Sequence, residues 1–136
     1  MIEYSLDTNV CIGLINRTAL RVRGRFAEVV RADSVLCVST VVLHELWYGV
    51  EKSARRAHNA DRLRTFLSGV VEVLDFDDAD ARATGAVRAA LERVGTPIGA
   101  YDTMIAGQAI RRGITLVTAN TREFARVEGL MWEDWA

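Results

Sequence analysis

Polar and apolar residues alternate at the start of the chain. Ile2, Tyr4 and Leu6 are interleaved with Glu3, Ser5 and Asp7, a period of two that predicts a short strand. Thr8 and Asn9 are helix-capping residue types, and the apolar run 10–15 behind them predicts the opening of a helix. Residues 17–25 then carry four arginines in nine positions and lead into a second helix over residues 26–30. The run Val35-Leu36-Cys37-Val38 is compact, apolar and rich in β-formers, which predicts a buried strand. Ser39 or Thr40 caps a longer helix over roughly 41–56, and another helical stretch, 61–67, is broken by Gly69. Residues 70–74 predict a third strand. Asp75, Asp77 and Asp78 crowd the start of the next helix, where acids suit the dipole, and that helix extends to about Val94. Gly95-Thr96-Pro97 is a loop holding the only proline. Residues 100–112 predict a helix closed by Gly113 at its C′ position. Residues 114–118 predict a fourth strand, and 130–133 a short fifth.

Strands that alternate with helices imply βαβ units and a mostly parallel sheet covered on both faces. The expected fold is therefore α/β, a three-layer α/β/α sandwich with four or five strands. The 136 residues are expected to form one domain, 1–136, long enough to bury a sizeable core. No internal repeat, low-complexity tract or linker interrupts them. The formal net charge of −1 creates no global field toward nucleic acid or an anionic membrane. A nucleic-acid partner would have to be held by local basic clusters and metal ions. Cys11 and Cys37 lie in apolar runs without metal-ligand spacing and read as buried thiols rather than a disulfide. No basic segment precedes an apolar one at the N-terminus, and no apolar run approaches ~20 residues, so a soluble, cytoplasmic chain away from membranes is expected.

Three acids stand where a purely structural acid would be out of place. Asp7 ends the first strand as it hands over to a helix, the mouth where open α/β sheets bind ligands. Glu45 has Val41, Val42, Tyr48 and Gly49 three and four residues away on its helix, an apolar or small face. Asp102 has Ile98, Gly99, Ile105 and Ala106 at the same spacings. A buried carboxylate costs several kcal/mol unless a cation or hydrogen-bond donor meets it. A divalent cation would relieve both burial and mutual repulsion, and hard oxygen ligands suit Mg²⁺ or Mn²⁺. Each acid also has a bland role open to it: Asp7 and Asp102 as helix caps, Glu45 as the partner of a distant arginine.

Four blocks in order resemble PIN-domain ribonucleases. They are Leu6-Asp7-Thr8-Asn9, the run from His44-Glu45-Leu46 to Gly49, Tyr101-Asp102-Thr103-Met104-Ile105-Ala106, and Thr115 to Asn120. The closing stretch from Asn120 to Trp135 is similar to the VapC toxins of VapBC toxin–antitoxin pairs, most of all the branch that cleaves initiator tRNA. The resemblance implies a PIN fold and a toxin that inhibits translation as an Mg²⁺- or Mn²⁺-dependent endoribonuclease. Asp7, Glu45 and Asp102 would be its catalytic, metal-binding acids. Thr8 and Asn9 would fix the loop around them, and Thr118 matches the threonine ending the fourth strand. The family often has an aspartate two positions later, where this chain has Asn120; Glu123 stands as a replacement acid or as a solvated helix residue. The metal would polarise the phosphodiester and activate water, with Glu45 or Asp102 placing or deprotonating it, to leave a 3′-hydroxyl and a 5′-phosphate. The resemblance also implies a homodimer and a VapB-type antitoxin partner. His44 and His58 read as structural or exposed, not as general bases.

Arg17, Arg21, Arg23 and Arg25 either rim the mouth to meet phosphates or form an ordinary solvated face. Arg122 and Arg126 are comparable candidates for RNA contact. Trp47 and Tyr48 either stack on bases or serve core and subunit contacts. A catalytically degenerate PIN module that only binds is the main alternative; Asn120 favours it, and Asp7, Glu45 and Asp102 oppose it. A DNA-directed PIN-like nuclease would need insertions for which 136 residues leave little room. A haloacid-dehalogenase-type phosphatase wants an aspartate where Asn9 stands.

Overall fold

The computed structural model describes residues 2–136. Its sheet has five strands: β1 (Glu3–Leu6), β2 (Val35–Ser39), β3 (Val71–Leu74), β4 (Thr115–Val117) and β5 (Trp132–Glu133). They lie in the order β3-β2-β1-β4-β5, and every neighbouring pair is parallel. The connections carry seven helices among the described residues: α1 (Thr8–Asn16), α2 (Leu20–Arg31), α3 (Thr40–Lys52), α4 (Arg56–Leu67), α5 (Asp78–Arg93), α6 (Ala100–Arg112) and α7 (Thr121–Phe124). From β1 the chain steps out through β2 to β3, then crosses back to the other side of β1 to place β4 and β5. Right-handed crossovers with that reversal put α1–α4 on one face of the sheet and α5–α6 on the other. The crevice of such a sheet opens at its C-terminal edge between the strands where the order reverses, here β1 and β4.

Ile2 lies outside β1 and is exposed, and helices on both faces explain a further departure within the strand. Alternation predicts a half-buried strand, yet Ser5 is buried along with Tyr4 and Leu6. The core continues through Leu36, Val38, Leu116 and Val117 in the strands, with Val10, Val42, Leu63, Ile105 and Phe124 supplied by the helices. Cys11 and Cys37 are buried free thiols, as their apolar settings predict.

Helix boundaries differ from the sequence pattern where side chains decide them. The cap of α1 is Asp7 itself, whose Oδ1 accepts from the Val10 amide at 2.9 Å, so Thr8 and Asn9 are helical rather than capping. The arginine run is not a lead-in, because Arg21, Arg23 and Arg25 lie inside α2. The third helix stops at Lys52 rather than near 56 and the fourth begins at Arg56 rather than 61, since Ser53 adopts an extended backbone and its hydroxyl donates to the Val50 carbonyl at 2.7 Å. Gly113 closes α6 as predicted, at φ 65° in the left-handed region that a Cβ disfavours.

The α5–α6 pair is clasped at both polar and apolar points. A Cβ on Gly107 would fall 2.7 Å from the Thr84 Cα, so only glycine lets the two backbones approach this closely. Beside it Asp80 has no exposed surface. Its carboxylate accepts from Gln108, Arg111 and Arg112 of α6, at 3.0, 2.6 and 2.9 Å, and caps the Asp77 amide at 3.0 Å. Burial by itself would raise its pKa; the Arg112 and Arg111 guanidiniums outweigh that and hold it well below the usual carboxylate range. A depressed folded pKa stabilises the protein above the ordinary carboxylate value of 3.8 and is lost as pH falls below it. Asp80→Asn is therefore expected to cost about 3 kcal/mol in denaturant unfolding at neutral pH, the low end for a broken buried pair because both arginines can turn to solvent. The variant should also lose the wild-type drop in stability below about pH 4.

Candidate active site

Three elements deliver acids to the crevice. Asp7 follows β1 and is held by the turn it caps; Glu45 stands in the second turn of α3, and Asp102 in the first turn of α6. With Thr8, Asn9, Asn120 and Phe124 they line one cavity of about 220 Å³. No lysine, arginine or histidine is among those lining residues.

Hydrogen bonds from neutral donors set Asp7, Glu45 and Glu123. Asp7 is buried, and besides the Val10 amide it has beside it the side chain of Thr118, the residue just after β4, which favours its charged form. The Thr118 hydroxyl accepts from the Asn120 amide at 2.9 Å, so one side chain ties the β1 exit to the β4 exit. Thr8 donates to Glu45 Oε1 at 2.8 Å and fixes the α3 acid to the α1 turn. Asn120 donates through Nδ2 to Glu123 Oε2 at 2.9 Å. Glu123 of α7 in turn lies close enough to Asp102 to raise its pKa, a fourth carboxyl group beside the cavity.

The electrostatics follow from that crowding. Burial raises the Asp7 pKa, the Thr118 and Val10 bonds oppose it, and the charge of Glu45 adds to it. Asp102 is pushed up to about 7, first by burial, then by its contact with Glu123 and by the charges of Glu123, Glu45 and Asp7. A site of this kind holds a proton at neutral pH or admits a cation.

Among the described residues no group of three or more His, Cys, Asp or Glu side chains is placed to hold a metal ion by itself. The donor set suits Mg²⁺ or Mn²⁺ all the same, because such ions take one or two carboxylates and keep several waters. At roughly 30 Å³ for each water, a cavity of about 220 Å³ has room for a partly hydrated ion.

Of the other sequence candidates, Asn9 lines the cavity and Thr118 lies beneath it through Asp7. Arg122 is exposed just beyond Asn120, and Arg126 is tied to the Pro97 carbonyl at 3.1 Å. Arg21 and Arg23 are exposed on α2. Arg25 is engaged with Glu28 and lies 5.8 Å from the Trp135 ring centre. Trp47 is half-buried beneath the Arg64 guanidinium. Glu123, left between two roles by the sequence, is inside the acidic cluster. Asp80 was not singled out by sequence reasoning; the Asp77-x-x-Asp80 spacing signals a capping box, but its arginine partners come from 31 and 32 residues away.

Known proteins resemble this one over its whole length. The PIN domain family matches residues 4–130. The tRNA(fMet)-specific endonuclease VapC of Shigella flexneri is 46% identical over 136 residues, covering 100% of both chains. Among solved structures, VapBC2 from Rickettsia felis bound to a DNA fragment from its promoter gives a TM-score of 0.93 at 36% identity, covering 99% of this chain and 100% of that one. DNA-bound VapBC from Salmonella typhimurium gives 0.91 at 44% identity, with 100% of both chains covered.

The raised Asp102 pKa has a measurable consequence. Between the ordinary value of 3.8 and about 7, the folded protein keeps a proton that the unfolded chain has released. Stability from this group is therefore full at low pH and is lost as pH rises through that window. In chelator, the thermal midpoint should fall between about pH 5 and pH 7.5, and Asp102→Asn should flatten that fall and melt higher at pH 7.5. An Asn variant with the wild-type slope would show that repulsion among these acids is not what strains the site.

Proposed function

The chain belongs to the PIN-domain family, and we propose that it is a metal-dependent endoribonuclease, the toxin of a VapBC-type toxin–antitoxin pair acting in the cytoplasm. The observation that carries this reading is the convergence of Asp7, Glu45 and Asp102 on one cavity with no basic side chain in its lining, and with Glu123 beside Asp102. Asp7 and Asp102 would hold a divalent cation, with Glu45 and Glu123 completing its surroundings. When bound, that cation would polarise the phosphodiester and lower the pKa of water in the cavity. Glu45, oriented by Thr8, is placed to steer or accept a proton from the attacking water. Thr118 and Asn9 hold the Asp7 turn, and Asn120 orients Glu123. Arg122 at the lip, with the exposed Arg21 and Arg23, is assigned to phosphate contact.

The substrate favoured is tRNA, and initiator tRNA first, because relatives nearly half identical over the full chain are named for it. A VapB-type antitoxin is the expected partner of a homodimer, since the similar solved structures are VapBC complexes. An acidic cavity without a cation of its own would accept a basic side chain from that antitoxin as readily as a metal. A catalytically degenerate binding module loses its main support in the geometry: Asn120 removes one charge, but Glu123 stands against Asp102 in its place.

Purified protein freed of antitoxin should cut initiator tRNA in Mg²⁺ or Mn²⁺ and not in chelator. Asp102→Asn should slow cutting at least by the roughly hundredfold that loss of an outer-shell partner costs a metal site. Cutting of a different RNA under the same metal requirement would keep the chemistry and move the target. Protein that binds Mn²⁺ and cleaves no RNA would make the binding module the better account.

A further inference from the structure

Each of two cavity acids is preceded by an aromatic residue, His44 before Glu45 and Tyr101 before Asp102. These two rings meet across the α3–α6 gap, centroids 4.8 Å apart and planes at 61°. His44 is held by its own helix, with Nδ1 3.3 Å from the Val41 carbonyl. Both remain open to solvent, Tyr101 at 49%. Along α3 the same exposed face continues at four-residue steps through Tyr48, 62% exposed, to Lys52, whose ammonium lies 5.0 Å from the Tyr48 ring centre. The stripe therefore starts beside the acidic cavity and leads away from it, three rings and then a cation.

Knitting α3 to α6 would account for the His44–Tyr101 contact but not for Tyr48 and Lys52, which contact each other and face solvent. The charge balance supplies a reason for such a stripe. A chain with net charge −1 and an acidic mouth attracts RNA weakly at long range. Short-range stacking has to supply much of the hold, and base–aromatic stacking is both strong and tolerant of sequence. Unstacked bases of single-stranded loops are the form of RNA that can reach such rings.

We propose that Tyr101, His44, Tyr48 and Lys52 form the track for the single-stranded RNA flanking the scissile phosphate, bases against the rings and a phosphate on Lys52. This role presupposes a ribonucleolytic cavity beside it. It makes the four side chains binding and positioning groups, with the chemistry left to the acids.

The test uses the full-length protein, a single-stranded RNA that it cuts, and the variants Tyr48→Ala, Tyr48→Phe and Lys52→Ala. Tyr48→Ala should raise KM about tenfold with kcat changed less than about twofold, and Tyr48→Phe should restore it. Lys52→Ala should flatten the slope of log KM against log salt by about 0.7, the value of one phosphate contact on a single strand. Unchanged KM and salt slope, with cleavage intact in the unaltered protein, would overturn the track alone. Failure of the unaltered protein to cut any RNA would remove the ribonuclease reading and the track together. Sedimentation of each variant covers the competing occupant: a KM change that accompanies loss of a dimer would assign the stripe to a second copy and overturn the track.

Discussion

Four carboxyl groups crowd the C-terminal edge of the sheet between β1 and β4, and the surrounding structure has to hold them there against their own repulsion. In water such charges would separate; here they are anchored to elements that cannot move independently. Asp7 is locked by the turn it caps, Glu45 by the Thr8 hydroxyl, and Asp102 by the register of α6. Every donor in these contacts is neutral. The arrangement therefore orients the acids without neutralising them, and leaves their charge available to something that enters from outside.

That demand explains features remote from the cavity. Asp102 stands in the first turn of α6, and the far half of α6 carries Gln108, Arg111 and Arg112, all bonded to Asp80 of α5. The close approach at Gly107 fixes the depth of the crossing, and the Asp80 cluster fixes its axial position. A helix held at one end this way cannot slide to relieve strain at the other. The five-stranded parallel sheet does the equivalent for Asp7, since β1 is central and hydrogen-bonded on both sides.

Local pattern made a large share of this legible. The Tyr4–Leu6 strand, the Gly113 stop and the α/β alternation all depend on residues close in sequence, and all are present in the structure. Asp7, Glu45 and Asp102 were legible because each breaks the apolar character of its own neighbourhood, a contradiction visible at three- and four-residue spacing. What local pattern could not supply was the partner across the fold. The place of the break between α3 and α4, at 53–55 rather than 57–60, rests on the Ser53 hydroxyl donating to the Val50 carbonyl, and either position is compatible with the residues there. Glu123 reads either as a replacement acid or as a solvated helix residue until the fold brings it beside Asp102. Asp80 reads as one more acid in an acidic first turn until two arginines from α6 are brought to it.

Asp80 and Asp102 together make the strongest physical case that the acidic cavity is there for a ligand. Both are aspartates near the start of a helix, and burial raises the pKa of each. Their shifts nevertheless run in opposite directions. Around Asp80 the chain has placed two guanidiniums and an amide, which turn a buried charge into a stabilising clasp. Around Asp102 it has placed three further acids, which turn the same residue into a source of strain. This protein thus neutralises a buried carboxylate where only stability is at issue, and withholds the remedy at the crevice of the sheet. A fold selected for stability alone would put an arginine there. The strain at Asp102 is relieved by a proton or by a cation, so above the raised pKa of Asp102 the repulsion among these acids would favour binding of a cation.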